Sequence, residues 1–277
     1  MKSALPASLG RNPEVPTMTG VPASPASSKG SAARSASGYV RLGRRGWNEL
    51  FAERTAFERA FAELLLQAPQ RQGRVLDIGC GDDFPEGLAC LRGQLGPLDG
   101  VDPDPAIVRH PHLQRRWQSP LESSAVPNGS YSMAYAYNVV EHVANPRPFL
   151  EKVHALLEPG GVFFALAPNA THPFAMLSRS IEVIGLKGFA RRQIGLAETG
   201  ELRVNDYPAY YRCNSPRAVR RAIRGLGFSE VTFYFHPCVQ WDHYFPRLLR
   251  WAPHSYDFAL GSRVTSLMQV FMFRLQK

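Results

Sequence analysis

The chain has little cysteine. Four residues in 277 (Cys80, Cys90, Cys213 and Cys238) show neither a C-x-x-C pair nor a disulfide-dense pattern. That excludes a disulfide-stapled secreted scaffold and points to free thiols in a reducing compartment. No run approaches the roughly 18 uninterrupted apolar residues that a membrane span needs. The first residues lack the apolar core of a secretory signal, so the expected location is the cytoplasm. Acidic residues are outnumbered, 23 against 32 Lys and Arg, for a formal charge of +9. The excess is scattered along the chain, and its densest cluster, Arg217, Arg220, Arg221 and Arg224, falls on a predicted helix. A solvated helix face explains that better than an RNA footprint does. With 44% apolar residues there is enough for a substantial core.

What is present divides in two. Residues 1–38 hold eight serines and five prolines with few large apolar side chains. They cannot bury enough surface to offset ordering entropy, and are read as a disordered tail. Residues 39–277 read as one domain. Leu50, Phe57, Phe61, Leu64 and Leu65 recur at helical spacing through residues 48–67. Short β-branched and aromatic runs then alternate with helical patterns. The runs are at 74–78, "LDGVD", "YSMAYAYNVV", "VFFALAP", "VTFYF" and "MQVFMFRL", and the helices open at Asn145-Pro146 and Ser215-Pro216. Asp83, three residues before Glu86, is expected to cap a further helix. The alternation predicts an α/β fold with a doubly wound, mostly parallel sheet and helices on both faces. Residues 169–214 break the rhythm, and are read as a helical lid at the carboxyl edge of the sheet, where ligands bind.

The stretch "GRVLDIGCGDD" (73–83) carries the sharpest chemical signal. Asp77-x-Gly79-x-Gly81 is a strand running into a glycine turn that lets backbone approach a ligand closely. No third glycine follows at the spacing of G-x-G-x-x-G, and Asp82 and Asp83 stand where a pyrophosphate needs bare N–H groups. Both features count against a nicotinamide dehydrogenase. A ligand with a cationic end and no phosphate tolerates them, and S-adenosylmethionine is such a ligand. Asp102, 21 residues beyond Gly81, ends the second strand, where an acid can accept both ribose hydroxyls.

The motifs "VLDIGCG", "GVDPD" and "SYSMAYAYNVVEHVANPRPFLEKVHALLEPGGVFFALAPN" resemble, in order, those of the class I S-adenosylmethionine-dependent methyltransferases, and most of all the ubiquinone- and menaquinone-pathway branch. The resemblance covers roughly residues 73–170. It implies a seven-stranded sheet with its last strand antiparallel, and S-adenosylmethionine as cofactor. It places Asp77, Gly79 and Gly81 at the methionine end, Asp102 on the ribose, Glu122 (or its rival Ser119) on the adenine amino group, and Asn138 at the methionine end. Where the family has Phe-Asp at the start of the fourth strand, this chain has Tyr131-Ser132, which implies weaker orientation of the site.

Methyl transfer is an in-line displacement that asks the protein for alignment and, for a hydroxyl or amine acceptor, removal of a proton. His142, at the junction after the fourth strand, is the best-placed base. His172 and Tyr207 in the lid are further catalytic candidates, and Tyr210 and Tyr211 could line an aromatic acceptor pocket. His236, Asp242 and His243 are weaker candidates. Some quinone-pathway relatives hold a divalent ion near the Glu-His segment, but no metal is assigned here. The expected reaction is methylation of a small aromatic or apolar acceptor at O or N. DNA is not expected as partner, since Tyr137-Asn138-Val139-Val140 stands where base-methylating enzymes carry Asn-Pro-Pro-Tyr, and RNA is disfavoured. RNA or protein methylation on the basic surface, and a non-catalytic S-adenosylmethionine-binding module, remain the alternatives.

Overall fold

The computed structural model describes residues 56–173, 175–176, 207–237, 255–256 and 264–277. The proposed tail, the helical pattern before residue 56 and most of the proposed lid lie outside them. The described elements are α1 (Ala56–Gln67), β1 (Val75–Ile78), β2 (Leu98–Val101), β3 (Arg116–Trp117), β4 (Tyr131–Tyr137), α2 (Pro146–Leu156), β5 (Leu157–Pro168), α3 (Pro216–Ala222), β6 (Glu230–His236) and β7 (Val270–Gln276).

The strands form one seven-stranded sheet in the order β3-β2-β1-β4-β5-β7-β6. Pairing is parallel from β3 through to β5, while β7 runs antiparallel to both its neighbours. The chain winds outward from β1 to β2 and β3, then returns to β4 on the other side of β1. That reversal opens a crevice at the carboxyl ends of β1, β2 and β4, the place where open α/β sheets bind ligands. Register puts Asp77 level with Gly100 on β2 and Tyr135 on β4.

Central strands covered on both faces should read as continuous apolar runs, and β4 and β5 do. Six consecutive residues of β4, from Tyr131 to Ala136, are buried, as are Gly161 to Ala167 of β5. Phe163, Phe233, Phe271 and Phe273 pack ring against ring beneath them. α2 turns Phe149, Leu150, Val153 and Leu156 inward, and each such side chain contributes about 1.5–3 kcal/mol by leaving water. Ser215 caps α3 by accepting the Ala218 N–H, as its Ser-Pro opening predicts.

Two local expectations need correction. Residues 86–91 form 3-10 turns rather than an α-helix capped by Asp83. The Gly87 N–H donates to Glu58 Oε2 of α1, and a side chain at Gly87 would collide with Glu58, which pins the segment by a tertiary bond. Arg220 does not belong to a wholly solvated basic face: its guanidinium lies 4.8 Å from the centre of the Phe233 ring. The Tyr131-Ser132 departure makes its own contacts. Tyr131 donates its hydroxyl to buried Asp99, and Ser132 Oγ donates to the carbonyls of Gln70 and Arg74, all at the amino ends of the strands.

Candidate active site

The crevice is built around the turn after β1. Gly79 and Gly81 both lie in the left-handed region, at φ +74° and +59°. A Cβ on Gly79 would run into Val139 Cγ2, whereas a Cβ on Gly81 would meet nothing within 4 Å. The first glycine is therefore required by packing, and the second leaves backbone bare beside open space. The Gly79 N–H continues the sheet by donating to Val101 O at 2.7 Å.

Asp102 fastens the turn to β2. Its Oδ2 accepts the Gly81 N–H at 2.8 Å and its Oδ1 accepts the Asp104 N–H at 2.7 Å. Burial pushes its ionisation upward, and these two amide donors act against that push. Each carboxylate oxygen keeps a lone pair for a further donor. Asp104 caps the next turn by accepting the Ala106 N–H. Asp77 lies behind the turn, 5% exposed, with Oδ2 accepting the Tyr135 hydroxyl proton at 2.6 Å. Desolvation raises its pKa to about 7, with the Tyr135 hydrogen bond opposing the rise and the Asp102 charge adding to it.

Asp82 and Asp83 play a different part from the one their position suggests. Both are exposed and paired outward, Asp82 with Arg109 and Asp83 with Arg92, each at 2.9 Å. Asp83 also accepts the Phe84 N–H. Their charge is largely compensated on the surface, so the acids that define the crevice are Asp77 and Asp102.

Asn138 follows β4 with φ +52°, a strained conformation for a residue with a side chain, while its N–H still donates to Leu166 O at 2.9 Å. Asparagine tolerates this conformation better than most residues, and strained backbone of this kind clusters at functional sites in general. Glu122 stands apart: it is exposed on a 3-10 turn, and no described hydrogen bond or ion pair joins it to the other site residues.

The structure brings His142 and Tyr207 together. Their rings approach edge-on at 6.2 Å, and His142 Nδ1 lies 3.1 Å from Pro208 O. Tyr207 is 43% exposed, and desolvation raises its pKa, with the charges of Asp102 and Asp104 adding to the rise. Tyr210 and Tyr211 attach the same segment by donating their N–H groups to Glu141 O. His172 is fully enclosed, its ring edge-on to Tyr256 at 5.4 Å, and so reads as a packed residue more than as one facing an open pocket. His236 is buried against Pro237 O, with burial lowering its pKa to about 4. Asp242 and His243 lie outside the described residues. Among the described residues no group of three or more His, Cys, Asp or Glu side chains is placed to hold a metal.

Two site residues escape sequence reasoning. Tyr135 shows its role only through the strand register. Glu141 reads as part of the Glu-His motif, yet it is the more unusual of the pair: it is 5% exposed, Oε2 has no hydrogen-bond partner among the described residues, and burial raises its pKa to about 8.

Comparison with known proteins agrees with this geometry. Residues 51–229 match the family model described as a methyltransferase domain. The chain belongs to the methyltransferase domain family. It is 31% identical over 176 residues to a ubiquinone biosynthesis O-methyltransferase of Methylobacterium sp., a match covering 59% of this chain and 64% of the relative. The protein of the same name from Xanthomonas campestris pv. campestris is 31% identical over 126 residues, 43% of this chain and 51% of the relative. The matches thus span about half to just under two thirds of these relatives. Among solved structures, a SAM-dependent methyltransferase from Archaeoglobus fulgidus superimposes with a TM-score of 0.50 at 17% identity, covering 83% of this chain and 98% of that one. The sheet order and the reversed last strand are those that the family resemblance implies.

Proposed function

We propose that this methyltransferase-family chain transfers a methyl group from S-adenosylmethionine to a small aromatic or apolar acceptor, with oxygen favoured as the acceptor atom. The observation that carries the reading is the Asp102 carboxylate, fixed to the Gly81 amide at the mouth of an open glycine turn, with Asp77 behind it. An acid held there by two backbone donors is preorganised to accept ribose hydroxyls. Two carboxylates in one crevice favour a cationic ligand and oppose a pyrophosphate. The names of the 31%-identical relatives favour O-methylation.

Bound S-adenosylmethionine supplies a methyl carbon on a positively charged sulfur, already a good leaving group. The chain supplies placement and proton removal. Neutral His142, donating Nδ1–H to Pro208 O, keeps the Nε2 lone pair available. Its Nε2 would take the acceptor's hydroxyl proton, leaving the acceptor oxygen ready for the methyl group that bound S-adenosylmethionine would supply. Tyr207 covers the same edge and excludes water. Asn138 remains a backbone contact for the methionine end; Glu122, exposed and unconnected, is the weakest of the proposed contacts, and His172 serves as packing. No described helix is long and apolar enough to cross a membrane, and a cytoplasmic location belongs to this proposal.

Calorimetric titration with S-adenosylmethionine and NAD, followed by labelled-methyl transfer to a panel of phenols and catechols, tests the reading. Tight NAD binding with no response to S-adenosylmethionine would remove it. Cofactor binding with no transfer to any acceptor would favour a non-catalytic module, and transfer to RNA at physiological salt would favour the basic-surface alternative.

A further inference from the structure

Tyr135 is a large polar side chain within β4, flanked by Ala134 and Ala136. It has no exposed surface, and its hydroxyl reaches across to Asp77 on β1. Register places the two residues directly opposite each other, and on the other side of Asp77 the partner is Gly100, which has no side chain to offer. Tyr135 is thus the side-chain donor to Asp77, while Asp77 Oδ1 takes no hydrogen bond among the described residues. The other titratable groups facing Asp77 are Cys80 in the turn, held neutral by burial, and Asp102 beyond β2. Among the described residues no cation contributes to the ionisation of Asp77.

We propose that Tyr135 is a positioning residue for the cofactor end of the crevice: its hydroxyl fixes Asp77 with Oδ1 left for a cationic ligand, and binding of that ligand is coupled to loss of the Asp77 proton. This rests on the reading of the crevice as an S-adenosylmethionine site. The hydrogen bond stabilises the carboxylate form, whereas burial and Asp102 stabilise the acid. A protonated Asp77 offers a cation no charge, so affinity falls as pH drops through the range in which Asp77 takes up its proton. With that range centred at about 7, affinity at pH 6 should be about a tenth of that at pH 8. Removing the tyrosine hydroxyl moves the midpoint upward.

The test uses the full chain and S-adenosylhomocysteine, which keeps the ammonium and ribose but cannot react, titrated calorimetrically from pH 5.5 to 8.5. The wild type should show the roughly tenfold loss, with proton release when the same titration is repeated in buffers of different ionisation enthalpy. Tyr135→Phe should bind several-fold more weakly at pH 7 and recover toward pH 8.5. Asp77→Asn should bind weakly with a flat profile. A wild-type profile that is flat despite binding, or a slope that survives in Asp77→Asn, overturns the coupling. A Tyr135→Phe curve superimposed on the wild type overturns the positioning role. If Tyr135→Phe does not fold, the wild-type and Asp77→Asn profiles decide the coupling without it. Absence of both S-adenosylmethionine and S-adenosylhomocysteine binding at every pH overturns the proposed function and this inference together, whereas pH-independent binding overturns the inference alone.

Discussion

Replacing each crevice glycine by alanine separates packing from ligand approach. Both positions have positive φ, so either alanine carries the left-handed backbone penalty of about 1–2 kcal/mol. At Gly79 the new methyl also meets Val139 Cγ2 just past the β4 end, and overpacking of that kind adds about 1–3 kcal/mol. Gly79→Ala should therefore lose about 2–5 kcal/mol of stability, a drop in Tm of roughly 5–15 °C for a domain of this size. At Gly81 the methyl meets no protein atom. Gly81→Ala should lose only about 1–2 kcal/mol, or roughly 2–6 °C. It fills the space beside the Gly81 amide, however, and should weaken S-adenosylmethionine by tenfold or more, about 1.4 kcal/mol. Denaturant melts give the stabilities and calorimetry the affinities. Trimming the obstacle in Gly79→Ala/Val139→Ala should recover part of the lost stability. If both alanines cost the same stability, or Gly81→Ala binds cofactor as the wild type does, the division of labour within the turn is wrong.

Asp102→Ala removes the acceptor for two backbone amides and, on the proposed reading, for the ribose. Hydrogen bonds to a charged group are worth about 1.5–3 kcal/mol each, so cofactor affinity should fall at least a hundredfold in a calorimetric titration, and an unchanged affinity would end the ribose assignment. His142→Ala should lower kcat by about 10²–10⁴, the usual range for a general base, with cofactor affinity nearly unchanged; full turnover in that variant gives the proton to another group. Glu141 makes a stability prediction whose sign follows from its raised ionisation. The folded chain holds the Glu141 proton up to about pH 8 while the unfolded chain releases it near 4.5. Folded protein therefore binds more protons between those values, and its stability falls with rising pH, by as much as about 1.4 kcal/mol per pH unit from this group. Glu141→Gln should flatten the slope measured by urea unfolding from pH 5.5 to 7.5. An identical slope in the variant would show that the carboxyl ionises normally.

The parts of the fold that periodicity can carry were legible: the burial of β4 and β5, the apolar face of α2 and the Ser215 cap are all set by neighbours within a few residues. The two-residue strand β3 was not, since Arg116-Trp117 carries no period. Asp77, Gly79, Gly81 and Asp102 could be proposed as a set because a glycine turn and a strand-terminal acid lie at a fixed spacing along β1 and β2, and the structure joins Asp102 to the Gly81 amide. The partners of Asp82 and Asp83, Arg109 and Arg92, lie 27 and 9 residues away, and the Asp82–Arg109 pair forms only when the segments after β1 and β2 come together. Asp83 failed as a helix cap for a related reason. The bond that fixes residues 86–91 comes from Glu58, 29 residues before Gly87, and no local capping rule contains it.

The arrangement of buried acids bears on why the crevice would discriminate between nucleosides. Asp77 and Asp102 each lose hydration on folding, and the Asp102 charge adds to the cost of ionising Asp77. Backbone and tyrosine donors offset part of that cost without supplying a positive charge. The cost left over falls on the empty crevice, and a ligand bringing a cation removes it while one bringing phosphate increases it. Selectivity then comes from repulsion against the wrong ligand as much as from contacts to the right one. Glu141 follows another logic: it is buried past the end of β4, holds its proton near neutral pH, and its backbone carbonyl anchors the Tyr210–Tyr211 segment next to His142 and Tyr207. A neutral acid there adds no field to draw a cation toward the acceptor side. The crevice thus has a carboxylate-lined floor on the Asp77 and Asp102 side and an aromatic-edged flank at His142 and Tyr207, the division that the proposed reaction with an apolar acceptor requires.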